Sequence, residues 1–462
     1  MKSGKPLPIT KRMVWEAYKL VKKGKAAGVD GQSLEDFAGD LENHRYRLWN
    51  RLVSGSYFPP PVRRVEIPKA GGGIRPLGIP TVADRIAQMV VKRCLEPVLD
   101  GEFDPDSYGY RPGKSAHQAI EQARKRCWQH DWVVDLDNKS FFDTIDHELL
   151  MRAVYRHTKA DWIRLYIERW LKAPVEMPDG SVRARTTGRS QGGVVSPILA
   201  NLFLHYVFDV WMKGSYPHIP FERYADDIIC HCRTRQEAEE LKSALERRFA
   251  DCHLLLHPEK TKVVYCADSN RRRSYPQIHF DFLGFSFRPR MAKNRWGRIF
   301  TCFLPGVSPN SLKEMRARIR GWRLPQHSPL PLEDIARSLS PVLRGWDQYY
   351  GRFYPTELRR LYEYFDERLG AWLRCKYKQL KGHRGRSLRK LNEMAKQNPK
   401  LFVHWQKLDG LRLDNRSRMM REYHVRICER PRVKLPRPTR QQKVSASRAS
   451  CRMTLPRGLN PD

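Results

Sequence analysis

Several common features are missing from this 462-residue chain, and each absence removes a class of function. Its ten cysteines, at 94, 127, 230, 232, 252, 266, 302, 375, 428 and 451, include no Cys-x-x-Cys pair, so no zinc ribbon or finger is expected. Cys230 and Cys232 bracket His231, which suits either a soft-metal ligand set or small apolar residues on one face of a strand. Free, unpatterned thiols suit a reducing compartment, hence a cytoplasmic location. The N-terminal stretch MKSGKPLPITKRMVWEAYKL has no apolar signal core, and no apolar run approaches a membrane span. No membrane partner is expected. There is no internal repeat. Negative charge is scarce: 50 Asp+Glu face 86 Lys+Arg, a formal charge of +36. A surface so basic attracts a polyanion, with nucleic acid the leading candidate.

What is present divides the chain. The first 60 residues have a helical pattern and end at SGSYFPPPVRR, where three prolines mark an extended connection. VRRVEIPKAGGGIRPLGIP reads as two short strands around a Gly-rich turn, and Thr81 is placed to cap the helix that follows. Strands and helices then alternate in mixed order to about residue 290, with FERYADDIICHCR as a central hairpin. That order predicts an α+β unit built on an antiparallel sheet. From about 305 the pattern is helical only: SPNSLKEMRARIRGW, PLEDIARSLSPVLRGWDQYYG and PTELRRLYEYFDERLGAWLRCKYK each open on Ser, Pro or Thr. Beyond about 380 the chain grows more basic, and its Pro- and Arg-rich end is expected to be mobile when free.

Asp226 and Asp227 interrupt an apolar β-segment. A solvated turn is the first reading of an Asp-Asp pair that stands alone. Asp135 and Asp137, two apart at the end of the apolar strand in WVVDLDNKSFFD, share one face. If that strand end meets the hairpin, carboxylates converge on one sheet edge, a cluster that a divalent cation stabilises. Hard oxygen ligands open to phosphate favour Mg²⁺.

The motifs AAGVDGQSLEDF, IPKAGGGIRPLGIPTVADRIAQ, DSYGYRPGKSAHQAI, VVDLDNKSFFDTIDHELL, QGGVVSPILANLFL, YADD, LHPEKTK and FDFLGFSF follow one another over about residues 24–290. In that order they resemble a group II intron reverse transcriptase/maturase of bacterial type, and SPVLRGWDQYYGRF resembles the helical maturase region that follows. The resemblance implies an α+β right-hand polymerase, with fingers and palm over 1–300 (an N-terminal extension over about 1–60), a helical thumb or maturase domain over 305–380, and a basic, partly flexible nucleic-acid-binding region over 381–462. It assigns catalysis and metal ligation to Asp137, Asp226 and Asp227, with the Asn138 backbone carbonyl completing the site. Asp135 and Asp143 take supporting roles. Two Mg²⁺ ions are implied, with Mn²⁺ as a substitute.

The nucleotide side follows. Lys69 and Arg75 flank a glycine turn and suit triphosphate oxygens, or nucleic-acid phosphate in general. The resemblance gives them the incoming nucleotide. It also sets Phe142 beneath the sugar, where its ring excludes a 2′-hydroxyl, and brings Gln191 and Gly192 to the nucleotide, with Gly193 allowing close backbone. A core position at the strand–helix junction explains Phe142 as well. Lys260 is a candidate acid for the leaving pyrophosphate, or a solvated lysine. Tyr224, Leu283, Gly284 and Trp346 are expected to meet primer and template. Trp346, Tyr349 and Tyr350 share one helical face, which suits packing as well as base stacking.

Implied partners are dNTPs, an RNA template (a group II intron RNA above all) and a DNA primer or target. Asn138 and Ser140 stand where the family more often has an aliphatic residue and glycine; Arg189 and Ser190 replace Thr-Pro. No His-Asn-His-type module with paired Cys-x-x-Cys follows the helical region, so intron mobility would use a primer made elsewhere. Three other readings stay open: a relative adapted to host DNA repair or spacer acquisition, an RNA-binding maturase with a silent polymerase site, and an RNA polymerase, which Phe142 disfavours.

Overall fold

The structure is a computed structural model that describes residues 6–68, 74–185, 187–188, 192–294 and 296–410. Helices α1 (Lys11–Leu20), α2 (Leu34–Gly39) and α3 (Leu41–Val53) come first. Thr10 and Ser33 start the first two with capping boxes, each side-chain oxygen accepting a backbone N–H three residues on. Strands β1 (Val62–Pro68) and β2 (Ile74–Ile79) pair antiparallel from Arg63↔Ile79 to Pro68↔Ile74. The intervening turn, which includes Lys69, lies outside the described residues. Thr81 caps α4 (Val82–Glu102) through the Asp84 N–H, as the sequence predicts.

The central sheet is assembled next. After α5 (Ala116–Gln129) come β3 (Trp132–Leu136), α6 (Phe141–Thr144), α7 (His147–His157), α8 (Asp161–Leu171), and the two-residue strands β4 (Val175–Glu176) and β5 (Val182–Arg183). Helix α9 (Ser196–Leu204) passes through a π-helical turn, His205–Asp209, into α10 (Val210–Ser215). The hairpin β6 (Phe221–Tyr224) and β7 (Asp227–Cys232), helix α11 (Arg235–Asp251) and β8 (Lys262–Tyr265) complete an antiparallel sheet in the order β6-β7-β3-β8. Both faces of β3 and β7 are covered, which is why WVVDL and IICHC read as unbroken apolar runs. Alternate side chains serve different cores: Val134, Leu136, Ile228 and Cys230 pack with Leu241, Leu245 and Phe249 of α11, whereas Val133, Ile229 and Val264 pack with Ala119, Ile120 and Ala123 of α5.

Three strands follow, β9 (Phe280–Phe282), β10 (Phe285–Lys293) and β11 (Ile299–Val307), antiparallel in the order β11-β10-β9. The rest is helical: α12 (Pro309–Gly321), α13 (Leu332–Tyr350), α14 (Thr356–Lys376) and α15 (Arg384–Gln397). The first three match the helices read from the sequence. Their core takes in Leu343, Leu361, Phe365 and Trp372, and continues past residue 380 through Leu391, Phe402 and Trp405. An aromatic core joins the sheets to the helices: the Phe285 ring lies 5.5, 5.3 and 5.5 Å from the rings of Tyr349, Tyr350 and Phe353. No described helix is long and apolar enough to cross a membrane.

Candidate functional site

The hairpin register sets Tyr224 opposite Asp227 and leaves Ala225 and Asp226 as a two-residue loop. Ala225 adopts φ 57°, a left-handed conformation that costs a non-glycine residue about 1–2 kcal/mol. Asp226 thus stands at the tip and Asp227 opens β7. Leu136 of β3 pairs with Ile228, so one step further the register brings Asp137 beside Asp227.

The three carboxylates feel one another. Crowding by protein raises the Asp227 carboxyl to about 7, with the charges of Asp226 and Asp137 adding to the rise and Arg75 opposing it. Its side chain still reaches open solvent on one side. Burial also raises Asp226, with Arg75 opposing and Asp137 adding. Asp135 is raised well above its ordinary range by burial first, then by Asp227 and Asp137. Arg75, exposed on β2, lies near enough to the hairpin for its charge to oppose both rises.

Asp137 is wrapped by the loop before β8. Its carbonyl accepts from His257 N at 2.7 Å, its N–H donates to Thr261 Oγ1 at 3.4 Å, and its carboxylate meets Lys260 Nζ at 3.1 Å. Lys260 therefore belongs to the site as an ion-pair partner of Asp137. Asn138 bridges the two acidic segments, its Nδ2 donating to Asp226 O at 3.3 Å, while its Oδ1 has no hydrogen-bond partner. Among the described residues no three His, Cys, Asp or Glu side chains are gathered closely enough to hold one metal ion. The aspartates are thus neighbours that do not close on one point, with Lys260 paired to Asp137. The donors themselves, hard carboxylate oxygens in mutual repulsion beside an unpartnered amide oxygen, fit a divalent cation.

The remaining expected residues are distributed as follows. Lys69, Gln191, Arg189 and Ser190 lie outside the described residues. Phe142 is half-buried against Phe141, ring centroids 5.2 Å apart. Gly192 has φ 121°, and a Cβ there would stand 2.4 Å from Gly78 O, so this glycine permits the close approach to β2. Tyr224 and Leu283 border the aromatic core. The Leu283–Gly284 turn is pinned to the helices: Tyr349 Oη donates to Leu283 O at 2.9 Å, and Ser308 N and Ser311 Oγ donate to Gly284 O at 3.0 and 3.1 Å. Trp346 stacks on Trp322 at 5.8 Å and, with Arg318, Tyr349 and Tyr350, lines a groove of about 270 Å³. The Asp143 backbone lies against Gly188.

Sequence reasoning missed three parts. Tyr110, half exposed with φ 57°, is close enough to the tip that burial, Asp226 and Tyr224 raise its hydroxyl. Gly109 lies directly on the hairpin: a Cβ would stand 2.3 Å from Ala225 N. Beneath the tip, Arg223 is fully buried, and its Nε and Nη2 donate to Asp209 Oδ1 and Oδ2 at 2.7 and 2.6 Å. Its Nη1 donates to Asn201 Oδ1 at 3.0 Å and Ala225 O at 3.3 Å, and Asn201 Nδ2 donates to Gly109 O at 2.6 Å. Arg223, a charge in the strand FERY directly before the apolar hairpin run, was the available signal, since a charge buried there requires an acid.

Comparison with known proteins bears on the family of the chain. The family model "Reverse transcriptase (RNA-dependent DNA polymerase)" matches residues 67–287, and "Group II intron, maturase-specific domain" matches residues 312–391. Protein YkfC of Escherichia coli K12 is 32% identical over 296 residues, covering 55% of this chain and 77% of that protein. The group II intron-encoded protein LtrA of Lactococcus lactis is 32% identical over 263 residues, covering 56% of this chain and 42% of LtrA. The putative COX1/OXI3 intron 2 protein of Saccharomyces cerevisiae is 31% identical over 274 residues, 58% of this chain and 31% of that protein. The match thus spans under half of each of these two intron-encoded relatives.

Proposed function

This chain belongs to the group II intron-type reverse transcriptases with a maturase domain, and from that membership we propose that it copies RNA into DNA at Asp137, Asp226 and Asp227 and assists splicing of a group II intron RNA. The observation that supports the site assignment is the strand register, which sets Asp137 beside Asp227 with Asp226 at the adjoining hairpin tip.

In this reading the sheets form the fingers and palm of a right hand and the C-terminal helices its thumb. Asp137, Asp226 and Asp227 would hold divalent ions, Mg²⁺ by preference and Mn²⁺ in its place. Such ions, when bound, supply an activated primer hydroxyl and charge stabilisation on the leaving pyrophosphate. The chain's own groups do the rest. Arg75 faces the tip and draws the dNTP triphosphate toward it. Lys260, already on Asp137, is placed to hand a proton to the departing phosphate. Phe142 walls the sugar side. Asn138 ties the Asp226 backbone to the Asp137 segment and so fixes the separation of the two. The pinned Leu283–Gly284 turn offers the primer strand a rigid support. Nucleic-acid partners are an RNA template and a DNA primer, in a cytoplasmic setting.

The test is primer extension by purified protein on an RNA template with dNTPs and Mg²⁺, with Asp226→Ala alongside. The wild type should make cDNA, and the variant should lose more than about a hundredfold. Tight RNA binding without cDNA from the wild type would overturn the polymerase reading in favour of splicing alone.

A further inference from the structure

Strand β8 leads away from the carboxylates. Lys262 pairs with Asp135 and Tyr265 with Trp132, and Cys266 N then donates to Asp131 O at 2.8 Å. Residues 267–273 therefore emerge at the opposite end of β3 from Asp137, about 20 Å away along the strand. There Arg271, Arg272 and Arg273, with Asp268 and Ser269 on the same side and Pro289 and Thr301 facing them, line an open groove of about 350 Å³.

The arginines have different roles. Arg271 is scaffolding: its Nε and Nη2 donate to Asp268 Oδ2 at 3.0 and 2.6 Å, and its Nη1 donates to Cys127 O at 3.0 Å and His130 O at 2.7 Å. It consumes the carboxylate that lines the groove. The opposite wall is fixed, since Ser269 N donates to Thr301 O at 3.0 Å and Thr301 N donates back to Ser269 Oγ at 2.8 Å. Arg272 and Arg273 are exposed. Arg272 Nε donates to Ser269 O at 2.7 Å, which holds its guanidinium at the groove, and neither arginine forms an ion pair among the described residues. Two guanidinium groups on a rigid concave wall with no acid left to neutralise them match phosphate oxygens.

We propose that the groove at Arg272 and Arg273 binds the phosphodiester backbone of a nucleic-acid segment other than the strand pair extended at the three aspartates. The proposal rests on the polymerase reading only for what that second segment is distinct from. Two backbone sources fit, a folded region of RNA and a flanking DNA duplex, and they share this chemistry.

The test uses the full chain, with Arg272→Glu/Arg273→Glu and Arg272→Gln/Arg273→Gln as paired variants, both exposed positions, and leaves Arg271 intact. Binding of a 3′-blocked RNA hairpin, and of its DNA counterpart, is titrated across salt concentrations beside primer extension. The charge-reversed protein should bind the hairpin about tenfold more weakly near 0.1 M salt, with a log–log salt slope smaller by about 1.5, while primer extension changes less than about twofold. The Gln pair should move the same way by less. Whichever hairpin loses more identifies the source. Unchanged hairpin affinity, or primer extension that falls in step with it, would overturn the proposal. A wild-type protein that binds the hairpin yet extends no primer counts against the polymerase reading, and the hairpin comparison still decides the groove.

Discussion

Gly109 shows how much a single hydrogen atom in place of a methyl can decide. Its missing Cβ would meet backbone, Ala225 N at 2.3 Å and the Tyr224 carbonyl carbon at 2.9 Å, and backbone cannot swing aside as a flexible side chain can. Gly109→Ala must therefore push the tip that carries Asp226, and if that tip holds the reacting centre as proposed, a shift of about 1 Å costs about a hundredfold in rate. We expect that loss in primer extension with RNA binding retained; Gly101→Ala, which meets nothing within 4 Å, should leave extension unchanged. The convergence of the aspartates was legible because each sits in a short local motif. Gly109 and Tyr110 were quoted within DSYGYRPG, yet their importance comes from a contact with a hairpin more than a hundred residues later, which no local pattern reveals. Lys260 was legible as a nearby cation, but its ion pair with Asp137 was not.

The helix running from α9 into α10 explains how the hairpin is held. Asn201 and Asp209 both serve Arg223, although eight residues of regular α-helix would set them about 80° apart around the axis. The π turn at His205–Asp209 absorbs one extra residue and brings them to within about 20° of each other. Asp209 →Asn would leave a buried guanidinium without its counter-charge, a loss of about 3–5 kcal/mol, readable in urea unfolding. The pH dependence follows. Burial opposes ionisation of Asp209, and the Arg223 charge and its hydrogen bonds outweigh it, so the carboxyl lies below its ordinary range. Between that lowered value and the ordinary Asp pKa of about 3.9 the unfolded chain binds more protons, so stability rises with pH there. It is fully present above that window and is lost as pH falls through the native value. Wild-type stability should therefore drop more steeply than that of Asp209→Asn on acidification below about pH 4. The strands and the hairpin were legible from apolar runs and turn residues. The π turn was not, since periodicity blurs over five residues.

For the molecule as a whole, mixed α and β elements before residue 305 and helices after it were both legible, because the switch from apolar runs to helical spacing is abrupt. The extent of the helical core was less so. Leu391, Phe402 and Trp405 are few apolar side chains in a strongly basic stretch, and charge on the outer face masks the packed one. Nor could sequence show that the aromatic core between sheets and helices draws on both, with Phe280, Phe285 and Phe303 from strands and Phe353 from beyond α13. That shared core makes the chain indivisible as an expression unit. A gene fragment ending at residue 307 would keep every described strand and all three aspartates, yet strip Tyr349, Tyr350 and Phe353 from the rings they cover. It should come out of cells aggregated, or bind a hydrophobic dye strongly where the whole chain does not. Domain shuffling within this lineage would then have to move both halves together, or supply a new set of rings at the joint.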